Sequence, residues 1–434
     1  MATFVLKASN KPVARNASQM SKSSNIKLTY GREHLAIPGP SNIPQRVLQA
    51  MNRPAPNIYG KEIEVVTEGV REGIAKFANT NGKTIIYVSN GHGVWEASLV
   101  NLFRPNDSVL LCSTGHFGHK WGIIAKRLGL NIIHIDVGFN TIIEPTRIEE
   151  ILKNDRAQKI KGILAVHTDT SSSSRNRIQD FKEAISAAKH PAILVVDAIA
   201  SFGCERIEMD PWGIDVLITA SQKGLMTPPG LAYCIVNERA ENYSKKLNNK
   251  DQIVSPYWDW QPRLNPARFY DIFSGTAPTN LLFGQLEALN MLNEEGRENV
   301  FLRHEILSGM VWECIEHLGS KGGALSLNIR DKSLRSNAVT TIFSQQFDFS
   351  RVREWISRQG GVDLGIGIGF SSKKFLEGRS VFRIGHMGYL NPHMILGVLS
   401  LLEAGLKKEN IPFTPGGITA ATEFMVKKLR SQGD

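Results

Sequence analysis

Short apolar runs alternate with amphipathic segments through the middle of the chain. The apolar runs have the length and β-branched content of strands buried on both faces of a parallel sheet, and they lie near 84–89, 109–112, 131–135, 162–166, 192–196 and 214–219. Apolar residues at helical spacing predict helices between them, at about 61–78, 93–103 and 178–189, with another ending near 128. This alternation has no internal repeat and predicts an α/β protein with a large, doubly wound, mostly parallel sheet.

The pattern changes after a long helix that is predicted over 279–318. Shorter strands and helices with interspersed glycines are predicted at 340–344, 350–358, 361–370, 380–384 and 391–406. A chain of 434 residues is also longer than a single hydrophobic core usually supports. We therefore expect two domains, a large one over 53–290 and a smaller α+β domain made of 33–52 and 291–434.

The net formal charge of +10 comes largely from one end of the chain. Residues 1–32 contain six Lys or Arg and no Asp or Glu, and the rest of the chain carries only +4. That weak excess gives no reason to expect a nucleic-acid partner. Because residues 1–32 are polar and lack a hydrophobic period, we expect a disordered basic extension. An acid-poor, Ser-rich leader is also typical of mitochondrial transit peptides, which is the alternative interpretation.

The cysteines and the apolar runs restrict the class of protein further. Cys112, Cys204, Cys234 and Cys314 are widely separated and form no CxxC pair, which indicates reduced thiols rather than disulfides or a zinc site. No metal site is predicted elsewhere in the chain. No apolar run approaches the roughly 20 residues that a membrane span needs. We therefore expect a cytoplasmic protein without a membrane partner, with a mitochondrial location as the alternative.

Two polar side chains follow neighbouring apolar runs. Asp197 ends the run at 192–196, and Lys223 follows the run at 214–219. Ligands of α/β sheets bind beyond the carboxyl ends of the strands, so we expect both side chains at one crevice. This pair suits pyridoxal phosphate, which needs a lysine for a Schiff base and an acid for its pyridine nitrogen. The alternative is a buried structural aspartate with a surface lysine.

A glycine-rich turn precedes the helix predicted at 93–103. Its residues are Asn90-Gly91-His92-Gly93, and glycines beside a helix N-terminus expose backbone N–H groups to a phosphate. An ordinary tight turn has the same composition, so this motif alone is weak evidence.

Several longer stretches together resemble the class V, fold-type-I aminotransferases that use pyridoxal phosphate, and within them the serine–glyoxylate and alanine–glyoxylate group. They span most of the chain from residue 35 to about 405, and are IPGPSNIP (37–44), NGHGVWEASLVN (90–101), TGHF (114–117), HPAILVVDAIAS (190–201), WGIDVLITASQKGLMTPPG (212–230), YWDW (257–260), TNLLFGQLEAL (279–289) and VFRIGHMG (381–388). The resemblance implies amino transfer from serine or alanine to glyoxylate by a homodimer. Pyridoxamine–pyruvate aminotransferases share RIGHMG, so that reaction, or another reaction of the same cofactor such as a lyase reaction, is the alternative.

The resemblance also implies a role for each matching residue. Lys223 would form the Schiff base and Asp197 would keep the pyridine nitrogen protonated. Arg383 would hold the substrate carboxylate, and its strand context argues against a solitary surface arginine. Phe117 would stack on the cofactor ring, and the Thr170 hydroxyl would lie near the ring oxygen. Gly91, His92 and Gln222 would bind the cofactor phosphate, with Thr276 added by the neighbouring subunit. For Phe117 the alternative is an ordinary core phenylalanine.

The chain departs from the group on the substrate side. The group's usual glycine is missing from 167–174, where Asp169 also replaces a glutamate, and Phe273 stands where a tyrosine is common. Ile58-Tyr59 replaces His-Arg near the substrate entrance, and the loop 371–379 is longer. Tyr59 offers a hydrogen bond but no charge for a second carboxylate, which favours serine or alanine over aspartate or glutamate as donor.

Overall fold

The computed structural model describes residues 28, 30–247, 255–431 and 433. Residues 1–27 of the predicted basic extension lie outside the described residues. No helix within the described ranges is both long and apolar enough to cross a bilayer.

Fourteen strands and thirteen α-helices build the fold. The strands are β1 (His34–Ala36), β2 (Lys83–Ser89), β3 (Ser108–Ser113), β4 (Asn131–Asp136), β5 (Ile160–Val166), β6 (Thr168–Asp169), β7 (Ser174–Arg175), β8 (Ile193–Asp197), β9 (Val216–Ala220), β10 (Gly230–Val236), β11 (Ser326–Leu327), β12 (Val339–Phe343), β13 (Val362–Ile366) and β14 (Val381–Gly385). The helices are α1 (Gln45–Met51), α2 (Lys61–Phe77), α3 (Gly91–Leu102), α4 (His116–Arg127), α5 (Pro145–Asn154), α6 (Ile178–Ala187), α7 (Glu238–Lys245), α8 (Gln261–Leu264), α9 (Thr279–Glu295), α10 (Arg297–Leu318), α11 (Ser350–Gly360), α12 (Pro392–Lys408) and α13 (Gly417–Arg430). These counts refer to the described ranges.

The larger sheet has seven strands in the spatial order β2-β10-β9-β8-β5-β3-β4. The strands from β9 to β4 are parallel, whereas β10 runs antiparallel to both of its neighbours. Two clusters of buried apolar side chains cover the two faces of this sheet, as the near-continuous apolar strands require. The predicted α/β fold with a doubly wound, mostly parallel sheet is therefore confirmed. Strand β10 is a further element that the sequence analysis does not predict, although residues 231–236 form an apolar run.

The smaller sheet has the order β1-β13-β14-β12-β11. Its first strand pairs in parallel with β13, which places Ala36 in the apolar core of the C-terminal region. Helix α1 follows closely, yet Val47 in it is buried in the core of the large sheet. The segment 33–52 thus contacts both cores, and the proposed domain boundaries stay a prediction.

The prediction of one continuous helix over 279–318 is wrong. Gly296 interrupts it with φ 85° and ψ 134°, a conformation that residues with a side chain rarely adopt. The two helices that replace it pack into different cores. Leu292 of α9 lies in the core of the large sheet, and Leu307 of α10 lies in the core of the small sheet. Helix α13, which packs against α10, is a further element that the periodicity does not predict.

Candidate active site

A cavity of about 230 Å³ opens at the carboxyl ends of the central strands of the large sheet. Adjacent parallel strands β8 and β9 lead into it, the first ending at Asp197 and the second followed by Lys223. The lining side chains come from four strand ends and two helix starts, and are Asn90, Gly91, His92, Trp95, Phe117, Thr168, Thr170, Asp197, Ile199, Ala200, Gln222, Lys223 and Pro229. The structure therefore brings together seven of the ten residues that the sequence analysis assigns to the site.

Asp197 lies at the floor of the cavity with 3% of its surface exposed. The Trp95 indole N–H donates a hydrogen bond of 2.8 Å to Oδ2, and the Ile199 backbone N–H donates one of 2.7 Å to Oδ1. Burial raises the pKa of Asp197 to about 7 despite these two donors. Trp95 is a site residue that the sequence analysis does not identify, although it lies within the matching stretch 90–101.

Lys223 is partly buried beneath the N-terminal segment that follows β1. Its ammonium group donates to the Pro38 carbonyl, and the Ser41 hydroxyl donates to the Lys223 carbonyl at 2.7 Å. The surrounding protein and then the Arg383 guanidinium lower the pKa of Lys223 to about 8. Gly39 has a φ of 88°, in the left-handed region that favours glycine, and a Cβ there would also come within 2.5 Å of the Lys223 Nζ. The lysine is thus held in place and is partly uncharged at mildly alkaline pH.

Asp169 holds the start of α4. Its Oδ2 accepts hydrogen bonds from the backbone N–H groups of Phe117 and Gly118, at 2.9 and 3.0 Å. The carboxylate thereby satisfies two N–H groups at the positive end of the helix. Since Phe117 lines the cavity, the aspartate that replaces the expected glutamate still positions the predicted stacking ring. Its other oxygen accepts from the Ser171 hydroxyl at 2.6 Å.

Ser173 stands where the resemblance leads us to expect a glycine. Its φ of 61° lies in the left-handed region that favours glycine. The Ser173 hydroxyl oxygen accepts the Thr341 N–H at 3.1 Å, which ties this strained turn to the small sheet. The backbone conformation is therefore kept although the residue differs.

Another buried carboxylate lies behind the cavity wall. The hydroxyl groups of Thr168 and Ser336 donate to Glu205 Oε1 at 3.0 and 2.6 Å. Burial raises the pKa of Glu205, and the only nearby cation among the described residues is Arg175, at 3.7 Å. Thr168 lines the cavity and Ser336 belongs to the C-terminal region, so this carboxylate links the two parts of the protein.

The start of α3 forms the side of the cavity that suits an anion. Gly91 is buried, and a Cβ there would come within 2.6 Å of Ile199. The Asn90 side chain caps the helix by accepting the His92 N–H at 3.1 Å. Gln222 faces this helix end, and its buried Oε1 has no hydrogen-bond partner among the described residues. Because phosphate oxygens accept hydrogen bonds, the groups here that suit a phosphate are the positive end of α3 and the side-chain NH2 of Gln222 rather than its Oε1.

Arg383 lies next to the cavity rather than in its lining. It is 4% exposed, and it donates from Nε to the Ile366 carbonyl at 2.7 Å and from Nη1 to the Thr170 carbonyl at 2.8 Å. Burial lowers the pKa of Arg383 to about 10, so it stays charged at neutral pH. Within the described ranges it forms no ion pair, so its charge is available to a bound carboxylate.

Two predicted site residues lie outside the cavity of a single chain. Tyr59 is 84% exposed and Thr276 is also exposed, and neither lines the cavity. Phe273 is buried in the core of the large sheet, so its ring packs there and does not line the cavity. The geometry of one chain therefore does not test the roles that are predicted for Tyr59 and Thr276.

Comparison with known proteins gives a consistent picture. A family model described as aminotransferase class-V matches residues 34–392. The serine–glyoxylate aminotransferase of Methylorubrum extorquens is 34% identical over 401 residues, which cover 91% of this chain and 96% of that protein.

Solved structures show the same fold. The ureidoglycine–glyoxylate aminotransferase from Bacillus subtilis superposes with a TM-score of 0.81 at 26% identity, covering 91% of this chain and 98% of that one. The pyridoxamine–pyruvate aminotransferase from Mesorhizobium loti has a TM-score of 0.80 at 25% identity, covering 91% and 97%.

Proposed function

The chain belongs to the aminotransferase class-V family, and we propose that it uses pyridoxal 5′-phosphate to transfer an amino group from serine or alanine to glyoxylate. The products would be glycine and a 2-oxo acid. The observation that carries this proposal is the placement of Asp197 and Lys223 at the ends of adjacent strands in one cavity.

The residues of the cavity fit the proposed cofactor. Gly91, His92 and the side-chain NH2 of Gln222 would hold its phosphate at the start of α3. Phe117 would cover one face of its ring, and the Thr170 hydroxyl would approach its ring oxygen. When bound, pyridoxal phosphate supplies an aldehyde that bonds to amines and a pyridine ring that takes up electrons.

Asp197 has the properties of the acid that binds a protonated ring nitrogen. Its pKa of about 7 reflects burial, which outweighs the opposing effect of the Lys223 ammonium in the same cavity, and a protonated ring nitrogen in direct contact with it would favour the ionised form further. The N–H groups of Trp95 and Ile199 fix both carboxylate oxygens and stabilise their negative charge. Asp197 can therefore keep a proton on the ring nitrogen throughout the reaction.

Lys223 has the properties of the attacking amine and the proton carrier. Because its pKa is about 8, about a tenth of it is neutral at pH 7 and about half at pH 8, whereas an exposed lysine would be almost entirely charged. When it is not bonded to the cofactor, the same amine can take the proton from the substrate Cα. The contacts from Pro38 and Ser41 place it at the cavity and limit its motion.

Arg383 supports a substrate with an α-carboxylate. Its guanidinium is already oriented by two backbone carbonyls, and a planar fork of N–H groups matches a carboxylate in two contacts. Glyoxylate has no side chain, so its binding needs little beyond this arginine. We favour serine or alanine as donor because Tyr59 provides a hydroxyl and no charge, although the loop 371–379 adds three basic residues.

We further propose a homodimer in which Tyr59 and Thr276 reach the partner's cavity. Their exposure in one chain supports this, because neither residue has a use in its own cavity. The four free, buried cysteines support a reducing compartment, for which we propose the cytoplasm.

The test is a screen of donors and acceptors on the purified protein. We expect glycine to form from glyoxylate with serine or alanine, faster than with aspartate or glutamate, and not with Lys223→Ala. Faster reaction of pyridoxamine with pyruvate would favour the second candidate, which the likeness to the Mesorhizobium loti enzyme supports. If no product formed with any of these pairs, both candidate functions would be contradicted.

A further inference from the structure

Three metal-ligating side chains lie together at the edge of the large sheet, away from the cavity. His134 and Asp136 are two residues apart on the edge strand β4, so their side chains leave the same face. His119, on the helix α4 that packs against this strand, approaches them from above. One donor atom from each residue lies within 4.8 Å of the other two.

The contacts of His119 point one of its ring nitrogens at a carboxylate oxygen. Its Nδ1 lies 2.9 Å from the Gly115 carbonyl oxygen and 3.2 Å from the Ser113 hydroxyl, and its Nε2 lies 3.0 Å from Asp136 Oδ2. A carbonyl and a carboxylate both only accept, whereas a neutral imidazole carries one N–H. With the proton on Nδ1 directed at Gly115, the nearer neighbour, the Nε2 lone pair faces Asp136 Oδ2, and a metal ion between them would be bound by both. With Nδ1 accepting from the Ser113 hydroxyl, Nε2–H donates to Asp136 instead.

The neighbours of the three donors orient them as ligands. The Gly115 carbonyl fixes the His119 ring, and the Gly138 N–H donates to Asp136 Oδ1 at 2.9 Å, which leaves Oδ2 for a metal. The exposed His134 ring has no hydrogen-bond partner within the described ranges, and it can turn toward the other two. Such supporting contacts are usual around metal ligands, whereas a plain His–Asp ion pair does not require the second histidine.

We propose that His119, His134 and Asp136 bind a divalent transition-metal ion, with Zn²⁺ as the best match. Two imidazoles and one carboxylate suit this ion at metal–donor distances of about 2.1 Å, and the solvent-exposed side leaves a fourth position for water. The bound ion would join α4 to the edge strand β4 and thereby stabilise the helix whose first turn carries Phe117. The site lies outside the cavity and does not depend on the proposed reaction.

The experiment uses untagged full-length protein with its cofactor, treated with a chelator and then dialysed. ZnCl₂ is added alone in competition with a chromophoric chelator, and melting temperature is measured with and without zinc. We compare the wild type with His134→Gln and Asp136→Asn, which alter exposed side chains outside the catalytic cavity. His393→Gln is the matched control, because His393 is an exposed histidine outside the cluster.

We expect one tight zinc ion per chain in the wild type and in the control, with an affinity at least about tenfold lower in each of the other variants. Zinc should also raise the melting temperature of the wild type and the control, and not that of His134→Gln, because a ligand stabilises only the state that binds it. Equal affinity in the wild type and His134→Gln, or the absence of a bound ion in the wild type, would overturn the proposal.

Discussion

The indole N–H of Trp95 should account for a measurable part of the activity. Trp95→Phe removes the hydrogen bond of 2.8 Å to Asp197 Oδ2 and keeps an aromatic ring at the same place. A hydrogen bond to a charged group contributes about 1.5–3 kcal/mol, and about 1.4 kcal/mol corresponds to a tenfold change. If the ionised form of Asp197 is what the reaction needs, the variant should lose about 10- to 100-fold in rate.

The same change should raise the pKa of Asp197 further, because a group that stabilises the ionised form is lost. The energy of the hydrogen bond corresponds to an upward shift of about one to two pKa units. The acid limb of the pH–rate profile should therefore move to higher pH by that amount. The assay is a single-turnover reaction of the cofactor-loaded enzyme with serine or alanine, followed by absorbance between pH 5 and 9.

Trp121→Phe provides the control. Trp121 is fully buried and stacks on Trp95 with ring centres 6.1 Å apart, so the two substitutions remove the same atoms from the same region. Its indole N–H has no partner among the described residues, so no hydrogen bond to the carboxylate is lost. Equal losses of rate in both variants, with no shift of the acid limb, would refute the reasoning and reduce Trp95 to a packing role.

Three more results are expected. Asp197→Asn should keep the circular dichroism spectrum of the wild type and slow the half-reaction by about 100-fold or more, because an amide cannot hold a charged ring nitrogen as a carboxylate does; near-normal turnover would show that Asp197 is structural. The rate at which pyridoxal phosphate attaches to the apoprotein should rise with pH through about 8, since the lowered pKa of Lys223 makes the reactive neutral amine available above that value; a midpoint near the ordinary lysine pKa of about 10.4 would contradict this. Sedimentation over a dilution series should show a dimer whose dissociation constant increases when the cofactor is removed, because Thr276 would bind the partner's cofactor. A fully active monomer at nanomolar concentration would rule out the shared site.

The fold and the central pair of the site were open to prediction because they depend on local pattern. Strands buried on both faces are short apolar runs, so their ends are visible in the sequence. Asp197 ends one of these strands, and Lys223 follows three residues after the end of the next. The order of the sheet then brings the pair together, since the carboxyl ends of parallel strands meet at one edge.

Other features depend on contacts that the sequence does not display. Trp95 and Asp197 are 102 residues apart, and an apolar residue on a buried helix resembles core until its partner is known. The break at Gly296 was missed because a single glycine inside a periodic pattern is compatible with a continuous helix. Only the separation of the two cores shows why the chain turns there. In the proposed homodimer, the surroundings of Tyr59 and Thr276 would include the second chain, which the sequence of one chain does not display.

The most direct test of the account is to identify the residue that carries the cofactor. The purified protein should be yellow, and treatment with borohydride should fix one phosphopyridoxyl group per chain. Peptide mapping by mass spectrometry should then find this group on the peptide that contains Lys223, and Lys223→Ala should carry none. A label on a different lysine, or a colourless protein that takes up no pyridoxal phosphate, would contradict the assignment of this cavity as the active site.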